Sequence, residues 1–244
     1  MAEVMRIAHR GASGEGLAPE NTLAAIQMAL EQGVDLVEVD VRVTADGHAV
    51  LVHDPTVDRT TTGGGSVGSL TLDQIRKLDA GTWFGEKFRG EKVPTLQEAL
   101  DLVKRRAILQ VETKAEGAVE CAVRVIRSMR AQSRVMFVSF QESSLLTAND
   151  LGRRIPSALL MTGGDALRRP ASVAQRVRTV GANALSVHYK AARPDLIRTF
   201  LARALGFWVW TVDDEADMRK MIRMGVGGIT TNYPDRLNKV LEDR

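Results

Sequence analysis

The sequence has few of the features that mark disulfide-stabilised, membrane-spanning or nucleic-acid-binding proteins. Its 244 residues include a single cysteine, Cys121, so no intrachain disulfide can form. No apolar run approaches the ~20 residues that cross a bilayer, and the initial MAEVMRIAHRG lacks the apolar core of a signal peptide. The formal net charge of +3 is too small to indicate a nucleic-acid-binding stripe. We therefore expect a cytoplasmic protein with no nucleic-acid partner and no stable membrane anchor.

What the sequence does contain is a repeated pattern of helix, glycine and strand. Helical segments such as AAIQMALEQG and MRKMIRMG end at glycine and lead into short apolar strands. Glycine suits the end of a helix because it tolerates positive φ. Hydrophobic residues make up 44% of the chain and charged residues 26%, which is typical of a globular protein. The alternation favours βα units built on a parallel sheet.

Nine segments have the length and apolar, β-branched character of strands. They lie near residues 5–10, 36–43, 49–53, 108–113, 135–140, 157–161, 183–188, 207–212 and 228–232. Only five residues separate Val43 from Ala49, and parallel neighbours need a longer crossover. We therefore predict an antiparallel hairpin there, with Asp46-Gly47 as a two-residue turn. The other eight strands predict an α/β protein, a single (β/α)8 TIM-barrel domain over residues 1–244 whose second strand the hairpin extends.

Residues 55–92 fit the barrel pattern least well. The stretch TTTGGGSVGS is followed by LTLDQIRKLDAG and TWFGEKFRG, which together are too long for a tight connection. We expect a small insertion at the barrel mouth, before the third barrel strand. Its Trp83, Phe84 and Phe88 either anchor the segment or wall a substrate cleft. The glycine run is not a phosphate loop, because no Gly-Lys-Ser/Thr follows it.

Three acidic side chains fall where neighbouring strands are predicted to end. Barrel enzymes carry their active residues at the C-terminal ends of strands, and Glu38, Asp40 and Glu112 lie at such positions. Converging carboxylates repel one another, so they need a cation or protons. Hard oxygen ligands favour Mg²⁺ or Ca²⁺ over zinc. The sequence therefore predicts one divalent cation, Mg²⁺ or Ca²⁺, with separate surface salt bridges as the alternative.

Two histidines and two cationic residues are predicted beside these acids. His9 lies at the end of the first strand, and a two-residue turn would place His53 opposite Asp40, whereas a longer turn would change that register. Such a histidine pair can serve as general acid and general base. Arg10 and Lys114 suit a phosphate group, although both could instead pair with the carboxylates.

These residues belong to motifs that together resemble the glycerophosphodiester phosphodiesterase family. The motifs, in chain order, are HRG (9–11), PENT (19–22), EVDV (38–41), VHD (52–54), VETK (111–114), WTV (210–212) and GITTNYPD (228–235). The resemblance implies hydrolysis of small glycerophosphodiesters, such as glycerophosphocholine or glycerophosphoethanolamine, to glycerol 3-phosphate and an alcohol. It also implies that residues 55–92 are the insertion of this family.

The resemblance also implies roles for individual residues. His9 and His53 would be the acid–base pair, and the three acids would hold Mg²⁺ or Ca²⁺. Arg10 and Lys114 would contact the phosphate. Trp210 would contact the glycerol, with a position in the core as the alternative. Asn21 would lie near the site, whereas the sequence alone also lets it cap the first helix.

Two residues depart from the family pattern. Asp213 stands where relatives often have asparagine, and Gly227 where they often have aspartate.

The sequence also allows other functions. A lysophospholipase D or sphingomyelinase D-like phosphodiesterase is one alternative, with residues 83–88 as its candidate apolar rim. A non-catalytic metabolite-binding barrel is another. The sequence leaves open whether water or the glycerol 2-hydroxyl attacks, which histidine is the acid, and whether the chain forms a homo-oligomer.

Overall fold

Eight parallel strands close into a barrel in the computed structural model of the protein, which describes residues 4–152, 155–164 and 167–243. The strands are β1 Met5–Ala8, β2 Leu36–Val43, β3 Ala49–Leu51, β4 Ile108–Thr113, β5 Val135–Ser139, β6 Ser157–Met161, β7 Ala184–His188, β8 Gly206–Trp210 and β9 Gly228–Thr231. All except β3 belong to the barrel, and β1 closes it by pairing in parallel with both β2 and β9. The predicted (β/α)8 barrel is confirmed.

Among the described residues, eight helices alternate with the barrel strands and cover the outside of the sheet, and a ninth, shorter helix lies within residues 55–92. They are α1 Leu23–Glu31, α2 Leu72–Lys77, α3 Leu96–Val103, α4 Ala118–Ser128, α5 Glu142–Gly152, α6 Pro170–Thr179, α7 Pro194–Leu201, α8 Glu215–Met224 and α9 Pro234–Glu242. In α4, Val119, Ala122, Val123 and Ile126 recur at helical spacing and are buried in the core. None of the described helices is long and apolar enough to cross a membrane.

One edge of β2 has two successive partners. Leu36 and Val37 pair with β1, whereas Val41 and Val43 pair with the antiparallel β3. Because β1 ends at Ala8, β3 takes over the same edge of β2 at the barrel mouth. The predicted hairpin that extends the second strand is therefore confirmed.

The register of this hairpin is one residue away from the predicted one. Val41 pairs with Leu51. Val52 therefore lies opposite Asp40, and its N–H donates to the Asp40 carbonyl at 3.0 Å. The prediction that His53 pairs directly with Asp40 is wrong.

Side-chain hydrogen bonds in the turn explain the shift. Thr44 Oγ1 donates to Asp46 Oδ1 at 2.6 Å and accepts from the His48 N–H at 2.9 Å. Gly47 has a φ of 83°, a left-handed conformation that favours glycine. The loop therefore contains three residues, Ala45 to Gly47, a common hairpin type with glycine at its left-handed position.

Residues 55–92 pack around a small apolar cluster of their own beside the barrel. Val57, Val67 and Ile75 are buried there, and Val50 and Val52 from the end of the hairpin join them. The aromatic residues of the segment contact one another edge to face, in the order Trp83, Phe84, Phe88. None of the three lines the central cavity of the barrel.

Candidate active site

A cavity of about 260 Å³ lies at the C-terminal ends of the barrel strands. Every barrel strand, or the residue directly after it, contributes to its wall. Seven of the nine predicted site residues line it: His9, Arg10, Glu38, His53, Glu112, Lys114 and Trp210. The other two, Asp40 and Asn21, are buried and hydrogen-bonded to each other. The structure therefore brings the whole predicted set together.

The three acids converge because of strand geometry. Glu38 and Asp40 lie two residues apart on β2, so both side chains point to the same face. Glu112 is the β4 residue directly paired with Asp40. All three are buried, and one oxygen from each carboxylate lies within 4.8 Å of the others.

The three acids differ in the direction of their pKa shifts: that of Asp40 is lowered, and those of Glu38 and Glu112 are raised. Burial, followed by the charges of Asp40 and Glu112, raises the pKa of Glu38 well above its ordinary value. Burial, followed by the charge of Asp40, raises the pKa of Glu112 to about 7. Burial also opposes ionisation of Asp40, but the charges of Lys114 and Arg10 outweigh it and lower that pKa. Asp40 is thus held ionised, whereas at the two glutamates the charges of Lys114 and Arg10 do not offset burial and repulsion.

Two cationic side chains pair with these acids. Lys114 Nζ lies 3.2 Å from Asp40 Oδ1 and 2.5 Å from Glu112 Oε1. Arg10 Nε lies 3.1 Å from Asp40 Oδ2, and the backbone N–H of Arg10 donates to Glu38 Oε2 at 2.8 Å. The pairing with carboxylates that the sequence left open for Arg10 and Lys114 is therefore present.

The acidic cluster has the properties of a cation site. Glu38 Oε1 is buried and has no hydrogen-bond partner among the described residues, which is costly for a carboxylate oxygen. Two oxygens on one Ca²⁺ can lie about 5 Å apart, since each bond is ~2.3–2.6 Å. The spread of the carboxylate oxygens fits this limit. The cluster could therefore hold one metal ion.

Asn21 holds the most buried of these acids in place. Its Nδ2 donates to Asp40 Oδ2 at 2.9 Å, and its Oδ1 accepts from the Asp40 N–H at 3.0 Å. The N-cap of α1 is Thr22, whose side chain accepts from the Ala25 N–H. The alternative prediction that Asn21 caps this helix is wrong, because the neighbouring threonine takes that position.

A hydrogen-bond chain fixes the proton of His9. Asp213 Oδ2 accepts from Asn232 Nδ2 at 2.7 Å, and Asn232 Oδ1 lies 2.7 Å from His9 Nδ1. A carboxylate only accepts, so the amide oxygen must face the imidazole and Nδ1 must carry a hydrogen. Desolvation, followed by the charge of Arg10, lowers the pKa of His9 to about 4. His9 is therefore neutral at pH 7, with its lone pair on Nε2.

His53 reaches the cavity despite the shifted register. β3 ends at Leu51, and the guanidinium of Arg42 donates to the His53 carbonyl from Nε at 2.9 Å and from Nη2 at 2.7 Å. His53 Nδ1 lies 2.7 Å from Asp54 Oδ1. Arg59, followed by His53, lowers the pKa of Asp54 to about 2, despite some desolvation. Asp54 is thus an ionised partner for the imidazole.

Trp210 forms part of the apolar wall opposite the acids. Its ring contacts Phe140 and His188 edge to face, and its Nε1 donates to the Ser186 carbonyl at 3.2 Å. Trp208, two residues earlier, is buried in the barrel core. Trp210 is therefore at the cavity, where the resemblance placed it.

Several residues at this site were missed from the sequence. Arg42 shares the face of Glu38 and Asp40 by the same two-residue period, so its position could have been found. Asp54 directly follows His53, and this proximity is a weaker indication of a place in the site than the two-residue period is for Arg42. The connections that depend on distant segments carry no local signal; these involve Glu20, Arg59, Asp213 and Asn232.

Comparisons with known proteins agree with the geometry. The Glycerophosphoryl diester phosphodiesterase family matches residues 9–236. A glycerophosphodiester phosphodiesterase of Caldanaerobacter subterraneus subsp. tengcongensis is 40% identical over 237 residues, covering 95% of each chain. One from Bacillus subtilis is 32% identical over 97% of this chain and 86% of its own.

Solved structures show the same similarity. An Oleispira antarctica phosphodiesterase in complex with the product sn-glycerol-3-phosphate has a TM-score of 0.89 and 29% identity, covering 98% of this chain and 96% of its own. A glycerophosphodiester phosphodiesterase from Agrobacterium tumefaciens has a TM-score of 0.85 and 30% identity, covering 97% of this chain and 100% of its own. The barrel, the site and these relatives lead to one conclusion: the chain is an enzyme that belongs to the glycerophosphoryl diester phosphodiesterase family.

Proposed function

We propose that this enzyme hydrolyses glycerophosphocholine, glycerophosphoethanolamine and similar diesters to glycerol 3-phosphate and an alcohol. The observation that carries the proposal is the meeting of a buried three-acid cluster, two histidines and two cationic side chains at one cavity. The product named in the Oleispira antarctica structure supports glycerol 3-phosphate as the released phosphate ester.

Glu38, Asp40 and Glu112 would hold one divalent cation, Mg²⁺ or Ca²⁺. The all-oxygen donor set and the unpartnered Glu38 Oε1 support this. When bound, such a cation offsets negative charge on phosphoryl oxygens. Arg10 and Lys114 already adjoin the cluster, and both would face the phosphate of a bound diester. Their charges would stabilise the transition state, in which the phosphoryl group gathers negative charge.

The two histidines would divide the proton transfers. Neutral His9, whose Nε2 carries the lone pair, would take the proton from the attacking oxygen. His53, whose Nδ1 lies 2.7 Å from the carboxylate of Asp54, would protonate the leaving alkoxide. Attack by water gives glycerol 3-phosphate in one step. Attack by the glycerol 2-hydroxyl gives a cyclic phosphate that water must then open, with the roles of the two rings exchanged. A transient cyclic phosphate in ³¹P spectra would identify attack by the hydroxyl.

The apolar half of the cavity would receive the part of the substrate away from the phosphate. Trp210 would pack against the glycerol, and Phe140 continues that wall towards the mouth. Phe140 is 44% exposed, so a lipid-bearing substrate is the second candidate. Residues 83–88, the apolar rim expected for such a substrate, do not line the cavity, which favours water-soluble diesters. Residues 55–92 would form the insertion that this family carries.

The experiment that tests the function follows glycerol 3-phosphate release from glycerophosphocholine with a coupled dehydrogenase. Release should stop with chelator and return with Mg²⁺ or Ca²⁺. Lysophosphatidylcholine, as vesicles, is assayed in parallel. Faster choline release from the lysolipid would favour the lysophospholipase D reading, and hydrolysis of neither substrate would refute the proposal.

A further inference from the structure

Arg59 joins two flanks of the active site from outside the barrel. It belongs to the segment 55–92, and its side chain is 45% exposed. Nη1 and Nη2 donate to the two oxygens of Glu20 at 2.7 and 2.8 Å. Nε donates to Asp54 Oδ2 at 2.6 Å. One guanidinium thus binds a carboxylate before α1 and a carboxylate after β3.

Each of these carboxylates uses another bond to hold a residue of the cavity. The second oxygen of Asp54, Oδ1, lies 2.7 Å from His53 Nδ1. Glu20 Oε1 also accepts from Arg10 Nη1 at 2.8 Å. An unbroken chain of contacts therefore runs from His53 through Asp54, Arg59 and Glu20 to Arg10.

Resting on the proposed function, we propose that Arg59 is a positioning residue that sets the distance between His53 and Arg10. The planar guanidinium presents its donors in a fixed fork, which lets it bind three acceptor oxygens on two carboxylates at once. Without it, Asp54 and Glu20 keep one partner each and are free to turn, and the groups they hold turn with them. The chemistry would then lose alignment while substrate binding changes little.

The alternative is that Arg59 merely attaches the segment to the barrel. Arg76 is the matched control, because it too is a partly exposed arginine of this segment bound to an acid of the barrel framework. Its guanidinium donates to both oxygens of Glu98 on α3, at 2.7 and 3.0 Å. Neither residue of this second pair lines the cavity.

The test compares Arg59→Ala, Arg59→Lys and Arg76→Ala in hydrolysis of glycerophosphocholine. We expect Arg59→Ala to lower kcat on the order of tenfold or more, with KM little changed. Arg59→Lys should recover only part of that loss. Millimolar guanidinium chloride should restore kcat in Arg59→Ala, whereas sodium chloride at equal ionic strength should not. Arg76→Ala should keep the kcat of the unmodified enzyme.

A readout that does not depend on activity separates this inference from the proposed function. The imidazole NMR signals of His53 should move in Arg59→Ala and return with guanidinium, while those of His48 on the hairpin stay fixed. An unmoved His53, a loss shared equally by Arg76→Ala, or absence of rescue would overturn the positioning role. If the unmodified protein hydrolyses no diester but His53 still responds, the proposed function fails and the contact through Arg59 stands.

Discussion

Arg42 holds the backbone of His53 at the cavity. Two guanidinium nitrogens of Arg42 donate to the His53 carbonyl, at 2.9 and 2.7 Å. This contact explains why the one-residue shift in the hairpin does not remove His53 from the site. The position of the ring thus depends on an arginine of β2 rather than on the strand pairing alone.

Loss of this contact should slow catalysis. We expect Arg42→Ala to lower kcat by about 10- to 100-fold, because a small displacement of a catalytic group is costly. Arg134→Ala is the control, since Arg134 also donates to backbone carbonyls, those of Leu100 and Lys104, but away from the cavity. Equal kcat values in the two variants would contradict the role of Arg42.

The histidines themselves give the largest expected losses. His9→Ala and His53→Ala should each lower kcat by about 10²-fold or more, as removal of a general acid or base does. His48→Ala should have no effect, because His48 is exposed at the hairpin tip. Steady-state assays of the three variants check this, and near-normal turnover by either of the first two would exclude that residue from catalysis.

The hydrogen bond between Asn232 and His9 should control which ring nitrogen carries the hydrogen. Asn232→Leu removes the acceptor at Nδ1, so we expect a fall in kcat of about 10- to 100-fold. Nitrogen-15 NMR of the histidines should show Nδ1–H at His9 in the unmodified protein and a mixture of tautomers in the variant. Asn238→Leu, which loses a bond to the Gln32 carbonyl on the outside of the barrel, is the control.

A divalent cation should stabilise the folded protein even without substrate. At 100 times its dissociation constant, a ligand that binds only the folded state adds about 2.7 kcal/mol to the free energy of unfolding. We therefore expect Ca²⁺ or Mg²⁺ to raise Tm in thermal melts. Glu38→Gln should abolish most of the increase, whereas Glu86→Gln, at an exposed pair with Arg89, should preserve it. The same increase in Glu38→Gln would place the cation elsewhere.

The stability of the cation-free protein should depend on pH through Glu112. Its pKa is raised from 4.5 to about 7 in the folded state, so folded and unfolded chains are both protonated here below pH 4.5. Between pH 4.5 and about 7 the unfolded chain ionises this residue while the folded chain keeps it protonated, so the free energy of unfolding falls over this range. In chelator, Glu112→Gln should therefore gain stability relative to the unmodified protein between pH 4.5 and 7. Denaturant titrations give the free energy of unfolding of both proteins at each pH. A difference between them that stays constant from pH 4.5 to 7 would contradict the raised pKa of Glu112.

Local patterns were enough to predict the barrel and most of the site. Strand periodicity located Glu38 and Asp40 on one face, and the short gap after Val43 correctly indicated a hairpin. The turn was predicted wrongly because Asp46-Gly47 is a two-residue signal, while the Thr44 hydroxyl stabilises a three-residue loop. Hydrogen bonds within a turn compete with simple turn rules, and sequence order does not reveal which of them forms.

Contacts between distant segments could not be predicted in the same way. Asn232 and His9 are 223 residues apart, and Arg59 and Glu20 are 39 apart. Their side chains meet only because the barrel closes and because segment 55–92 packs beside it. Nothing in the residue types themselves distinguishes such partners from other surface asparagines or arginines.

The position of β3 outside the eight-stranded barrel has an evolutionary consequence. Barrel closure depends on β1 pairing with β2 and β9, and β3 only lengthens an edge that β1 has left. The chain between β2 and α3 can therefore grow or shrink over generations without changing the strand number or shear of the ring. We expect insertions and deletions among relatives to concentrate between residues 44 and 94.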